Sequence, residues 1–197
     1  MRLTTAPLTV ALIVINIAVF AADFFSNSRL SNAFALQPAL VQQGEWWLLL
    51  TYGFMHAGWP HVLINMYALL QAGAFVEYCY ATPRYALIYF VALFTGGIAA
   101  YFSTAHSDIP TVGASGAIMG VFGAMAVLGF KLPRLRGELL RAAILPIVLT
   151  LGYGLINPYV SNAGHVGGLI GGVLVAFILT PVRGQPFARI EEEQEEV

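Results

Sequence analysis

Charge and cysteine are both scarce in this chain, and each shortage excludes a class of protein. Charged residues make up only 10% of the 197 residues, against 58% apolar residues, so the chain is too apolar for a soluble globular domain. A net charge of -1 argues against the basic surface of a nucleic-acid-binding protein. The lone cysteine, Cys79, excludes an internal disulfide and a multi-cysteine metal site. This composition is that of a polytopic membrane protein, which has the lipid bilayer as its partner.

Apolar runs account for most of the chain. We predict an all-α fold with six transmembrane helices at residues 7–25, 61–80, 85–103, 113–130, 139–156 and 163–180. About 20 residues per helix cross the hydrocarbon core, which leaves no room for a soluble domain beside this membrane domain over residues 1–182. The loop at 26–60 holds all three tryptophans and is predicted to form short helical pieces in one interface. Residues 183–197 are predicted to be an acidic, disordered cytoplasmic tail.

Positive charges predict how the helices are oriented. With six spans, eight of the nine Lys and Arg residues fall on the side of the N-terminus, and only Arg29 falls opposite. The positive-inside rule then places both termini in the cytoplasm. The first apolar run also carries a passable signal-peptide cleavage pattern at residues 19–21, but we predict an uncleaved helix. The absence of a transit peptide and the minimal form favour a bacterial inner membrane.

A serine stands among very small residues at the head of the fourth span. Ser115 lies in the stretch Gly113-Ala114-Ser115-Gly116, where neighbours with little side chain allow another helix or a substrate backbone to approach closely. A helix N-terminus also offers free amide hydrogens and a positive dipole end, which stabilise a developing oxyanion. Taken alone, such a cluster is more typical of a packing seam between membrane helices.

Further polar side chains share the depth of Ser115 in the predicted topology. His165 lies near the outer end of the sixth span, and His61 and Asn65 open the second. His61 and Asn65 are four residues apart, so they share one helix face. Polar groups in spans are costly and usually face one another or an interior cavity. Their joint placement predicts a site near the outer face, where water for hydrolysis is available.

Four motifs at these residues resemble those of the rhomboid intramembrane serine proteases. Residues 113–116 resemble the GxSG motif, and residues 56–65 look like the HxxxxHxxxN segment. Residues 73–77 resemble GxxxE, and residues 164–172 are similar to AHxxGxxxG, with Gly164 in place of the usual alanine. The motifs occur in the right order and on the right helices. The resemblance therefore covers the whole chain, as the minimal six-helix form.

The resemblance implies a rhomboid-like bundle and a serine endopeptidase that cleaves transmembrane proteins near the outer face. Ser115 would be the nucleophile and His165 the general base, with no acidic third member. His61, Asn65 and the Ser115 amide would form the oxyanion hole. Substrates would be single-span proteins with small residues at the scissile bond and a helix that unwinds easily. The first loop and the fifth helix, bent at Pro146, would be lateral gate elements.

Six residues receive supporting roles. Gly168 and Gly172 would let the sixth helix pack closely against a neighbour, which we take to be the fourth. His56 is expected to brace the first loop. Glu77, near the inner end of the second span, is expected to make a structural hydrogen bond or to snorkel. The last two are the glycines of the serine motif, Gly113 and Gly116.

The chain departs from the rhomboid pattern at two places. Met119 stands where many members carry a tyrosine that stacks on the catalytic histidine, so His165 must be positioned differently or more loosely. Trp46-Trp47 replaces the tryptophan-arginine pair that is common in the first loop. Without the arginine, the anchoring of that loop stays open.

Three other functions are alternatives. A non-catalytic relative that binds or escorts membrane helices usually lacks the serine or the histidine, and this chain keeps both. A small transporter would show broken spans paired between two related halves, and none is visible. A metal hydrolase using His56, His61 and His165 lacks a carboxylate or cysteine close enough in depth to complete a zinc site. We therefore expect protease chemistry that uses no metal and no cofactor.

Overall fold

The computed structural model describes residues 6–104 and 109–182, and these form an all-helical bundle, which confirms the predicted class. The predicted tail at 183–197 lies outside the described residues. The helices in chain order are α1 (Pro7–Phe25), α2 (Arg29–Phe34), α3 (Pro38–Gln42), α4 (Leu48–Thr51), α5 (Trp59–Ala68), α6 (Ala74–Tyr80), α7 (Thr82–Ser103), α8 (Ser115–Lys131), α9 (Arg136–Ile156) and α10 (Asn162–Ile178). A π-helical segment, Leu69–Gly73, joins α5 to α6, and 3₁₀ turns at Tyr52–Phe54 and Pro133–Leu135 follow α4 and precede α9.

Within residues 6–104 and 109–182, four apolar helices are long enough to cross a membrane by length and composition. They are Pro7–Phe25, Trp59–Tyr80, Thr82–Ser103 and Pro133–Ile156. The other two apolar helices, α8 and α10, have 17 residues each. Each is about 25 Å long, a few ångströms shorter than a hydrocarbon core of about 30 Å. The chain is a multi-pass integral membrane protein. Ser115 and His165 lie on its two shorter helices, α8 and α10.

Proline residues determine where several helices begin. Pro7, Pro38, Pro60 and Pro83 each occupy one of the first two positions of a helix, where the missing N–H sacrifices no hydrogen bond and the fixed φ favours helix. The second and third spans therefore begin at residues 59 and 82, slightly earlier than the predicted 61 and 85. Pro146 lies inside α9.

The helix α8 is the buried centre of the bundle and packs against α7, α9 and α10. Its closest neighbour is α10, because a Cβ added at Gly168 would clash with the Gly116 carbonyl. A Cβ added at Gly172 would clash in the same way with Gly120. The two backbones are therefore in direct contact, which only glycine allows at these positions.

A buried carboxylate holds the N-terminus of α1. Glu77 accepts hydrogen bonds from the amides of Leu8 and Thr9 at 2.9 and 2.7 Å. It also accepts from the hydroxyls of Thr9 and Thr82, both at 2.8 Å. A carboxylate at this position satisfies amides that have no partner within the helix. Glu77 thus ties α1 to α6 and α7, at the far end of the second span from His61.

Side chains from three other helices hold the C-terminal end of α10. Lys131 Nζ donates to the carbonyls of Ala176 and Phe177 in α10 and of Leu179 just after it, at distances from 2.6 to 3.0 Å. Tyr80 Oη donates to the Ala176 carbonyl at 2.9 Å, and Arg84 donates to the Thr180 carbonyl at 2.8 Å. Cationic groups are favourable here because the carbonyls carry the negative end of the helix dipole. Because Lys131 is the last residue of α8, it links the ends of the two glycine-packed helices.

Candidate active site

Ser115 and His165 are in direct contact although 50 residues separate them. The Oγ atom of Ser115 lies 2.8 Å from Nε2 of His165. Ser115 is the first residue of α8, and His165 lies buried in the first turn of α10. The close packing of these helices brings their first turns together. An imidazole at this distance can accept the hydroxyl proton as the serine attacks a carbonyl.

The turn that leads into α8 depends on glycine. Gly113 has a φ of +119°, a conformation that side chains other than hydrogen disfavour. Its amide donates to the Tyr52 carbonyl at 3.0 Å. Among the described residues no side chain caps α8, so the amides of its first turn lack helical partners. The turn therefore presents Ser115 together with free amide hydrogens and the positive end of the helix dipole.

His61 and Asn65 provide two further hydrogen-bond donors from α5. Asn65 is buried, and its Nδ2 atom has no hydrogen-bond partner within residues 6–104 and 109–182. Nδ1 of His61 accepts a long hydrogen bond, 3.4 Å, from the Ala57 amide. In a neutral ring this leaves Nε2 as the nitrogen that carries the proton. The site therefore contains one free amide donor and one ring N–H donor.

The missing side chain of Gly113 leaves space in front of both donors. A Cβ built at Gly113 would lie 2.8 Å from Nε2 of His61 and 3.6 Å from Nδ2 of Asn65. An oxygen atom in this space could accept hydrogen bonds from both groups. The space lies two residues before Ser115 in the chain. Two donors next to one small space could stabilise a negatively charged oxygen there.

His56 packs beside His61 and is not in contact with the serine. The two imidazole centroids are 5.1 Å apart, with ring planes tilted by 59°. Burial, and secondly the nearby His61, lower the pKa of His56 to about 4. The ring is therefore neutral near pH 7. His56 is therefore an uncharged packing neighbour of His61.

The first loop holds the segment before α8, through residues that the sequence analysis missed. Leu36 and Thr111 exchange two backbone hydrogen bonds, at 3.0 and 2.9 Å. Tyr52, whose carbonyl holds Gly113, is buried and donates its hydroxyl to the Leu93 carbonyl at 2.9 Å. No local sequence signal marks Tyr52, because its partners lie 41 and 61 residues further along the chain.

The first turn of α10 is held by its own cap and by α9. Ser161 Oγ accepts a hydrogen bond from the Gly164 amide at 3.1 Å, a standard N-cap contact. Asn162 Nδ2 donates to the Leu151 carbonyl of α9, also at 3.1 Å. These contacts fix the turn that carries His165.

A cavity of about 250 Å³ opens between the two loops that lead to the site. Its lining includes Thr111 and Ser161, which precede Ser115 and His165 by four residues each. Within the described ranges, no group of three or more His, Cys, Asp or Glu side chains could hold a metal ion. The polar groups that the site brings together are the serine hydroxyl, the imidazole rings and the amide of Asn65.

A family model described as the rhomboid domain matches residues 43–182, which include all four polar side chains of the site. This chain belongs to the rhomboid family. It is 38% identical over 156 residues to rhomboid protease GluP of Bacillus subtilis, a match that covers 78% of this chain and 30% of that protein. RHOMBOID-like protein 5 of Arabidopsis thaliana is 31% identical over 148 residues, covering 74% and 48% of the two chains. RHOMBOID-like protein 1 of the same plant is 30% identical over 205 residues, covering 85% and 52%.

This rhomboid chain spans about half, or less, of the length of these curated relatives. The matched rhomboid domain begins at residue 43, so it contains α4 to α10 and leaves α1 outside. Glu77 nevertheless ties α1 to the matched domain through the hydrogen bonds at Leu8 and Thr9.

Proposed function

We propose that this rhomboid-family chain is a serine endopeptidase that cuts other membrane proteins in or near their transmembrane segments. The observation that carries the proposal is the 2.8 Å contact between Ser115 Oγ and His165 Nε2. Nδ1 of His165 has no partner among the described residues, which agrees with a dyad without a third, acidic member. The similarity to the rhomboid protease GluP supports the same reaction.

In the proposed reaction Ser115 is the nucleophile and His165 the general base. The Ser115 oxygen attacks the scissile carbonyl while Nε2 of His165 takes its proton. The protonated ring then donates to the leaving amine, and the C–N bond breaks to leave an acyl-serine ester. Water, deprotonated by the same ring, attacks the ester and releases the second product. A base must be neutral before attack, so the proposal requires an uncharged His165 ring.

The oxyanion hole is formed by His61, Asn65 and the backbone amide of Ser115 in this proposal. Support comes from the free Nδ2 donor of Asn65 and from the space that Gly113 leaves before both side chains. Gly116, Gly168 and Gly172 act indirectly, because they allow α8 and α10 to approach. His56 and Glu77 support the structure, and neither reacts.

The proposed topology places both termini in the cytoplasm and the dyad near the outer face. The distribution of Lys and Arg residues supports this orientation. Because α8 and α10 are about 25 Å long, they can reach the inner interface while their first turns lie below the outer one. Water can then enter from outside through the loops. The bacterial origin of GluP supports a bacterial inner membrane as the location.

The proposed substrates are single-span membrane proteins. A helical backbone hides its carbonyl groups in intrahelical hydrogen bonds, so a substrate must unwind locally before Ser115 can attack. Small residues at the scissile bond and an easily unwound helix meet this requirement. The membrane domain over residues 1–182 carries out the reaction in this proposal.

The proposal is tested by reconstituting the chain in liposomes with a synthetic single-span fusion that has an Ala-Gly-Ser stretch at its outer end. Cleavage is expected with the unchanged chain and none with Ser115→Ala or His165→Ala. His61→Ala and Asn65→Ala are each expected to lower turnover about a hundredfold or more while the fold is kept. Unchanged turnover in both would remove these residues from the oxyanion hole, and cleavage by Ser115→Ala would overturn the proposed nucleophile.

A further inference from the structure

Tyr52 of the first loop reaches into the place where three helices meet. It lies in the 3₁₀ turn Tyr52–Phe54 and is only 3% exposed. A Cβ built at Gly96 of α7 would lie 3.1 Å from Tyr52 Oη and 2.9 Å from the carbonyl oxygen of Gly164, which belongs to α10. A Cβ built at Gly116 of α8 would lie 3.3 Å from each of the same two oxygen atoms. The Tyr52 hydroxyl therefore lies at the junction of α7, α8 and α10.

Two contacts hold the phenol ring of Tyr52 in this junction. Its hydroxyl donates a hydrogen bond to the Leu93 carbonyl of α7 at 2.9 Å. Its ring lies against Gly97, where an added Cβ would be 3.0 Å from Cε1 of Tyr52. Side chains in a close-packed interior occupy one well-defined position and transmit displacements to their neighbours. A ring that is fixed at its edge and at its hydroxyl thus acts as a spacer between the helices.

The junction adjoins both residues of the proposed dyad. Gly116 directly follows Ser115, and Gly164 directly precedes His165. The distance between these two glycines therefore limits how closely the nucleophile can approach the base. The backbone of Tyr52 acts on the same region, because its carbonyl accepts the 3.0 Å hydrogen bond from the Gly113 amide, two residues before Ser115.

We propose that Tyr52 is a positioning residue that sets the contact between Ser115 and His165, and that it thereby couples the conformation of the first loop to the reactivity of the serine. The inference rests on the proposed function, since it takes Ser115 as the nucleophile. Tyr52 acts through the backbones at Gly116 and Gly164 rather than on the substrate. Such an effect matters because a misplacement of about 1 Å can lower a reaction rate by about a hundredfold.

The variant Tyr52→Phe tests the role of the hydroxyl, because it keeps the ring. Loss of a neutral hydrogen bond shifts an equilibrium by about two- to tenfold. The reactivity of Ser115 is therefore expected to fall by about two- to tenfold. We expect the loss in kcat, with KM changed by less than about twofold, because the groups that face the substrate are unchanged.

Tyr80 provides a matched control at the far end of α10. It is also buried, and its hydroxyl donates to the Ala176 carbonyl, again at 2.9 Å. Tyr80→Phe therefore removes the same kind of hydrogen bond from a buried tyrosine without reaching the junction. Both variants are expected to lose a similar amount of thermal stability in detergent, but only Tyr52→Phe should make Ser115 less reactive.

The first measurement is the rate constant with which a fluorophosphonate probe labels the folded chain in detergent. Labelling is expected to be about two- to tenfold slower in Tyr52→Phe than in the unchanged chain or in Tyr80→Phe. Cleavage of a single-span fusion in liposomes should show the same factor in kcat. A residue that only stabilised the fold would lower the fraction of chains that become labelled, and the rate constant of that fraction would stay the same.

The second measurement observes the contact itself by nitrogen NMR of the chain with labelled histidines. In a neutral imidazole one ring nitrogen is an acceptor, and its signal shifts when it accepts a hydrogen bond. His165→Ala identifies the resonance of His165, and Ser115→Ala gives its position without the contact. Tyr52→Phe is expected to move the signal part of the way towards that position, and Tyr80→Phe is expected to leave it in place.

Four results would overturn the inference. They are an equal labelling rate in Tyr52→Phe and the unchanged chain, equal slowing in Tyr80→Phe, a change confined to KM, and a His165 signal that does not move in Tyr52→Phe. Failure of the proposed function would appear differently, as absence of labelling in the unchanged chain. The His165 signal would then still decide whether Tyr52 sets the contact.

Discussion

A single methyl group at Gly113 should disable the site. In Gly113→Ala the new Cβ would lie 2.8 Å from His61 Nε2. Non-bonded carbon atoms normally pack no closer than about 3.5 Å, so this contact is a clash. It would also occupy the space in which an oxyanion would sit. Loss of one oxyanion donor lowers turnover about a hundredfold to a thousandfold, so we expect a loss of at least about a hundredfold. The backbone conformation, with φ of +119°, adds about 1 to 3 kcal/mol of strain for alanine.

Gly44 provides the matched control for this strain. Its φ is +103°, and a Cβ there would meet no atom within 4 Å. Gly44→Ala therefore carries similar backbone strain without any contact with the site. Both variants are expected to lose free energy of unfolding in detergent, Gly113→Ala the more because of its contact with His61, but Gly113→Ala alone should lose cleavage of a single-span fusion in liposomes. Equal turnover in the two variants would refute the assignment of this space to the oxyanion.

Three further predictions concern the helices and the first loop. Gly168→Ala should lower turnover because it separates α8 from α10. Gly152→Ala should leave turnover unchanged, since a Cβ there meets no atom within 4 Å. Similar turnover in these two variants would contradict the role of Gly168. Lys131→Met should lower the unfolding free energy by about 2 kcal/mol by removing its hydrogen bonds, and Arg141→Met should change it by less than about 0.5 kcal/mol. Because the pKa of His56 is lowered to about 4 from 6.5, its folded form binds fewer protons between these pH values, so stability rises with pH there. His56→Phe should reduce the loss of unfolding free energy between pH 7 and 4.5 by about 2 to 3 kcal/mol, and an unchanged loss would contradict the pKa shift.

Much of the helical frame could be predicted because membrane spans carry a strong local signal. Apolar length and the prolines near residues 7, 60 and 83 are visible in the sequence, and the helix starts follow from them. The serine and the histidine could be predicted to meet because both lie at the heads of spans that begin on the same side. Their contact holds with Met119 in place of the tyrosine that is common in the family.

Other features depend on contacts between distant residues and have no local signal. Tyr52 holds Gly113 from 61 positions away. In the sequence, Lys131 is only one of the positive charges that predict the cytoplasmic side. In the structure it donates hydrogen bonds to the carbonyls at the end of α10. The π-helical segment at Leu69–Gly73 is equally hidden, because the spacing of buried residues continues through it without interruption.

Labelling with a fluorophosphonate probe is the most direct test of the central claim that His165 activates Ser115. The detergent-purified chain is compared with Ser115→Ala and His165→Ala, and no substrate is needed. Labelling is expected in the unchanged chain alone, with the probe located on Ser115 by mass spectrometry. Equal absence of labelling in all three folded proteins, or labelling that persists in His165→Ala, would contradict the account.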